Sequence, residues 1–114
     1  MSTKAIILLA ALMTHEPAWW EGSWAEEGVA CNGGRGDVHP IRLAWDRIEF
    51  PEAECFPLKE EAGKGVLVLR ARCREHGDPA PRNRRFTLRP AEGGATMTIS
   101  DGKAEWHLRR CPPN

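Results

Sequence analysis

The chain contains no tyrosine, only three phenylalanines, no Cys-x-x-Cys or His-x-His pair, and no apolar run long enough to span a bilayer. Each absence removes a class of function. Without closely spaced ligands there is no local metal motif, so zinc would need four cysteines whose nearest members, Cys55 and Cys73, lie eighteen positions apart. Of the histidines, His15 precedes the domain, while His39, His76 and His107 are scattered and read as solvated side chains. Ser23 and Ser100 are the only serines beyond Ser2, and neither sits in a nucleophile elbow. Glu49, Glu52, Glu54, Glu60 and Glu61 could include an acid–base pair, and an acidic rim on a strand–loop segment explains them equally well. No catalytic residue, metal ligand or cofactor is assigned, and the chain is not read as an enzyme. Net charge is zero and the pI is about 6.9, which with the lack of interleaved exposed aromatics argues against nucleic acid.

The sequence does contain a Lys4-led apolar stretch, Ala5 to Met13, with four cysteines downstream of it. At about 1.5 Å per helical residue, nine residues reach only about half of a ~30 Å hydrocarbon core. The stretch therefore reads as the core of a signal peptide over residues 1–18, leaving residues 19–114 as a single domain bound for the periplasm or the exterior. In that oxidising setting Cys31, Cys55, Cys73 and Cys111 read as two bridges. Pairing Cys31 with Cys111 and Cys55 with Cys73 would contribute about 4.5 and 3 kcal/mol in the chain-entropy description, and two other connectivities stay open.

Hydrophobic alternation makes the domain all-β. Asp101-Gly102 has the composition of a two-residue type I′ turn, which sets Ser100 opposite Lys103, Met97 opposite Trp106 and Ala95 opposite Leu108. Ala95, Met97, Ile99, Ala104, Trp106 and Leu108 then share one face. Leu67, Leu69, Ala71 and Cys73 alternate with outward Val66, Val68, Arg70 and Arg72, and Phe86 and Leu88 alternate with Arg85, Thr87 and Arg89. If those two strands are neighbours, Arg70, Arg72, Arg85 and Arg89 form one outer basic face. A turn at Asp46-Arg47 would pair Trp45 with Ile48 and Leu43 with Phe50, and Pro51 ends that strand. One helical turn fits Ala25–Ala30, and Arg35-Gly36-Asp37 reads as turn chemistry on a loop. The pattern is an antiparallel meander of six to eight strands that closes into a small barrel, removing exposed edges.

Charge is polarised along the chain: residues 1–63 hold five Lys/Arg against eleven Asp/Glu, and residues 64–114 hold eleven against five. Pairing between strand faces accounts for this, with a basic face toward a polyanion or acidic partner as the functional reading. Trp24, Trp45 and Trp106 fit the apolar face and are expected in the core. Trp19 and Trp20 precede the domain and have two readings: they cap the open end of the barrel, or they form an exposed pair suited to docking on a protein partner in the cell envelope.

The Gly22-Ser23-Trp24 triplet opening a β-meander resembles the lipocalin (calycin) signature, in which the tryptophan closes the barrel floor under a last-strand arginine. The resemblance implies Arg110 as the partner of Trp24, since it is in phase with Leu108 and Trp106, with Arg109 as the neighbour that could replace it. In length, export signal and Gly-x-Trp start the chain is also similar to compact eight-stranded bacterial periplasmic metalloprotease inhibitors. Its wider pattern of Cys31, Pro40-Ile41, Glu52-x-x-Cys55, Cys73 and Arg110-Cys111 looks like small exported four-cysteine proteins of proteobacteria. These likenesses imply a lipocalin-like barrel that binds and inhibits a secreted or envelope hydrolase, or else a structural or small-ligand-binding envelope protein.

Overall fold

The computed structural model describes residues 18–32, 39–78 and 80–113. The signal segment 1–18, apart from Ala18, and the Arg35-Gly36-Asp37 tripeptide lie outside the described residues. Eight strands follow in order: β1 (Gly22–Glu26), β2 (Ile41–Leu43), β3 (Ile48–Glu49), β4 (Ala53–Ala62), β5 (Leu67–Glu75), β6 (Arg82–Pro90), β7 (Thr96–Ser100) and β8 (Glu105–Arg110). Each pairs antiparallel with the next, and β8 returns to β1 to close the barrel. The seam sets Trp24 opposite Arg110, Ala25 opposite Arg109 and Glu26 opposite Leu108.

Period-two alternation fills the interior. Leu67, Leu69, Ala71 and Cys73 on β5, Phe86 and Leu88 on β6, Met97 and Ile99 on β7 and Leu108 on β8 are all buried, joined by Ile41, Leu43 and Ile48. Phe50 lies 5.2 Å from Phe86 and 5.6 Å from Trp106, so the rings plug one end of the core. Among the described residues no buried side-chain polar atom lacks a hydrogen bond.

Both cysteine pairs are bridged. Cys55 faces Cys73 directly across β4 and β5, with 4.0 Å between their Cα atoms, and Cys31 joins Cys111 over a sequence separation of 80. The long bridge ties the segment after β1 against the outside of the seam. There Arg109 donates to the Val29 carbonyl (2.8 Å) and to Cys31 Sγ (3.0 Å), and Ala25 beneath is fully buried although Trp24 next to it is buried on the opposite face.

Two turns differ from the sequence reading, each by one residue. The last hairpin pairs Ser100 with Glu105, Ile99 with Trp106 and Met97 with Leu108, which moves its register by two. No non-glycine residue among those described has positive φ, whereas a type I′ turn at Asp101-Gly102 needs positive φ at both positions. Gly102, at φ 90°, instead takes the first central position, and the Asp101 carboxylate accepts from the Lys103 and Ala104 amides. A shift of two preserves the face, so Met97, Ile99 and Leu108 stay buried, but Ala95 and Ala104 are exposed. Similarly, Ala44 and Arg47 bond each other's backbone, centring the β2–β3 turn on Trp45-Asp46 and pairing Leu43 with Ile48. Trp45, expected in the core, is therefore 61% exposed. The expected helical turn at Ala25–Ala30 is replaced by strand to Glu26 and a turn in which the Val29 amide donates to the Glu26 carbonyl.

Candidate functional site

The barrel has two ends, and the register sorts the chain between them. Gly22 opposite Leu43 puts the β2–β3 turn beside the start of β1, and β4 runs back from Ala53 towards the same end. That end also receives the tip of the β4–β5 hairpin and the close of β8, while Glu75, Arg84 and Asp101 gather at the other.

At the first end the Trp19–Trp20 pair splits between its two readings: Trp20 caps the core and is not an exposed docking residue, and Trp19 stays exposed. A tight turn, closed by the Glu21 amide donating to the Ala18 carbonyl (3.0 Å), folds Trp20 into the core at 2% exposure and leaves Trp19 45% exposed. The Trp24 indole N–H donates to the Trp20 carbonyl (2.9 Å). Arg110, rather than its neighbour Arg109, covers the Trp24 ring, with its guanidinium carbon 4.2 Å from the ring centroid. The same fork donates to the Glu21 carbonyl (3.0 Å) and to the Trp19 carbonyl, satisfying backbone groups that would otherwise end unpaired. This geometry explains the Gly-x-Trp spelling. Gly22 sits at φ 130°, and a Cβ there would stand 3.2 Å from Arg110 Nη1.

The same end exposes large apolar side chains: Trp45 at 61%, Leu58 at 63% and Phe56 at 46%, in addition to Trp19. The cause is the brevity of β3. Beyond Cys55, β4 pairs only with β5, so its other edge runs free alongside the Trp45 turn. Pro57, the register break between Pro57 and Lys59, and Lys59 itself are features that discourage strand addition, so this edge presents side chains rather than backbone.

The opposite end is sealed by charge. Arg84 bonds Asp101 (2.5 Å) and Glu75 (3.3 Å) and lies 5.8 Å from the Phe86 centroid. For Asp101, burial acts to raise the carboxyl pKa, but the Ala104 and Lys103 amides and the Arg84 charge prevail and hold it below the ordinary aspartate value. Glu49, on the β2–β3 wall, is likewise lowered: burial acts to raise it, and the bonds from Arg47 and Arg42 outweigh that.

The β5–β6 wall carries the expected basic face, since the two strands are neighbours. Arg70 stands directly opposite Arg85, and Lys59 stands opposite Arg70 on its other side, making a row of three cations across β4, β5 and β6. Glu61 approaches Lys59 (3.4 Å) and Arg70 (3.6 Å), while Arg72, among the described residues, bonds only the neutral Asn83 side chain (3.1 Å). Further along, Thr87, Arg89, Thr98 and Ser100, with Glu105, line a depression.

The histidines do not converge. His39 donates from Nδ1 to the Pro40 carbonyl (2.6 Å), His76 lines a surface hollow with Glu54, Arg74 and Asp78, and His107 lies 3.7 Å from Glu105 in solvent. Among the described residues no cluster of three His, Cys, Asp or Glu side chains is placed to hold a metal, and no helix is long and apolar enough to cross a membrane.

The chain is thus a closed, eight-stranded antiparallel barrel stapled by two disulfides. No family model, curated protein or solved structure matches it. Sequence reasoning missed Trp45, Leu58 and Phe56 as surface residues. The signal available was Asp46 beside Trp45, which marks a turn, and Pro57, which marks an edge.

Proposed function

We propose that this is an exported binding module that docks on a protein partner through the tryptophan end of its barrel. The carrying observation is that the interior is filled by the chain's own side chains while Trp19, Trp45, Phe56 and Leu58 are left in solvent at or beside one end. Isolated exposed apolar residues are ordinary, but two tryptophans with a leucine and a phenylalanine at one end have the composition of an interface hot spot. The two disulfides suit an oxidising compartment, and a partner there is a secreted or envelope hydrolase that the module inhibits. The filled interior favours this reading over a small-ligand cup.

The test must leave the barrel intact. Deleting residues 19–23 would remove Trp20 and the Gly22–Arg110 contact and so unfold the closure, whereas Trp19→Ala, Trp45→Ala and Leu58→Ser touch only exposed groups. A photo-crosslinking residue at 45 or 58, introduced in the native host, is expected to trap one discrete protein, and purified module should inhibit that protein's hydrolytic activity stoichiometrically. The three substitutions should each weaken inhibition by about tenfold or more. Crosslinks that form equally from position 82, exposed at the charged end beside Asp78, would sink the docking assignment. A specific but non-hydrolytic partner would remove the inhibitor role alone.

A further inference from the structure

We infer that the outer wall of β5 and β6 is a second binding site, for a linear polysaccharide carrying repeated carboxylates. The wall is built against the usual rule. Like charges directly opposite on neighbouring strands repel, yet Lys59, Arg70 and Arg85 occupy one cross-strand row. Strands about 4.8 Å apart place these three cations within about 10 Å. Among the described residues Glu61 is the one carboxylate within salt-bridge distance of this row, shared between Lys59 and Arg70; Arg85 and Arg89 make no ion pair there. A row that repels itself gains when an anion lies across it.

The residue types narrow the ligand. All the cations on this face but Lys59 are arginines, whose planar fork matches a carboxylate, or equally a phosphate, with two parallel bonds. Along β6 the outward column continues Arg85, Thr87, Arg89, and the rows beside it add Ser100 opposite Thr87 and Thr98 opposite Arg89. At about 3.4 Å per residue, Asn83 to Arg89 spans about 20 Å, with charge at intervals and hydroxyls between. That alternation fits a chain of sugar rings with acidic groups better than a single-stranded nucleic acid, which stacks its bases on several exposed aromatics where this wall has only Phe56, opposite Arg72. The two disulfides suit an oxidising compartment outside the cytosol, away from most cellular nucleic acid.

The experiment is affinity electrophoresis and calorimetry of the full oxidised protein with polygalacturonate, with neutral dextran and single-stranded DNA as comparison ligands. Polygalacturonate should bind and weaken as salt is raised, and dextran should not bind. Arg70→Gln/Arg85→Gln is expected to weaken binding by about tenfold or more, with an unchanged or higher melting temperature because the repulsion is relieved. Arg42→Gln/Arg47→Gln, which removes the same charge from β2–β3, should change it by less than about twofold. Thr87→Val/Thr98→Val leaves charge untouched and should still reduce affinity, the readout that a general charge effect would not move. Equal losses in the two arginine variants, no retardation by polygalacturonate, or DNA binding as tight as polygalacturonate would each overturn the assignment. The docking proposal is tested at positions 19, 45 and 58, so either can fail alone.

Discussion

At one end of the barrel Arg110 lies 4.2 Å above the Trp24 ring; at the other Arg84 lies 5.8 Å from the Phe86 centroid. Both ends are closed by an arginine over an aromatic ring, but the arginines spend their hydrogen bonds differently. Arg84 gives its fork to Glu75 and Asp101, while Phe50 covers Phe86 and Trp106 beside it, so that end is finished. Arg110 gives its fork to backbone carbonyls, and Trp19 and Trp45 remain outside the closure it makes. Among the described residues the charged end closes without leaving a large apolar side chain in water, so closing a barrel does not by itself require the exposure seen at the tryptophan end, where β3 is only two residues long. The docking partner proposed above would cover it.

The staples offer the largest test of this contrast. Cys31–Cys111 closes 80 positions at the seam beside the tryptophan end, and Cys55–Cys73 closes 18 within the β4–β5 hairpin. On loop length alone, Cys31→Ala/Cys111→Ala should lose about 4.5 kcal/mol and Cys55→Ala/Cys73→Ala about 3 kcal/mol in urea unfolding. The reverse order would mean that packing of the fully buried Cys55–Cys73 pair outweighs chain entropy.

Next comes Arg110→Ala, which removes the ring contact and both carbonyl bonds. It should cost about 2 kcal/mol and, as Arg110 has no acid partner among the described residues, show no dependence on pH through the carboxylate range. Asp101→Asn at the other end should cost less, about 1 kcal/mol at neutral pH, because the side-chain oxygen still accepts from the Lys103 and Ala104 amides. Its signature is in pH. A carboxyl whose folded pKa is lowered contributes stability above its unfolded value, and loses it as pH falls through the ordinary aspartate range to the folded value. The acid limb of the melting curve should therefore flatten in Asp101→Asn and be unaltered in Arg110→Ala.

How much of this is legible in the sequence depends on what each element obeys. Strands with period two on both sides, β5 and β6 above all, can be read to the face of each residue, and so can the facing of Cys55 toward Cys73 and the neighbourhood of Arg70 and Arg85. Hairpin centres cannot. The choice between Asp101-Gly102 and Gly102-Lys103 is set by φ at Asp101, and alternation is blind to a register move of two. Trp45 is misplaced for the same reason, because a residue in phase with the core leaves it if the chain turns one position early. Trp20 is left between two readings for another reason: its burial depends on a turn at Ala18–Glu21 held by an arginine 89 positions beyond Glu21, a contact with no local trace in composition.

The smallest expected effect on stability is the one that bears most on function. Trp45→Ser removes a ring that is 61% exposed in a turn whose backbone bonds join Ala44 and Arg47, so the fold should lose no more than about 1 kcal/mol, the scale of a surface contact. Trp24, 1% exposed beneath Arg110, would cost several times that. If Trp45 were only a displaced core residue, its loss would be silent in every assay, and Trp45→Ser would express, fold and act like the parent. A variant with an unchanged melting curve that no longer engages its partner would separate the two tryptophans into one that builds the barrel and one that the barrel exists to present.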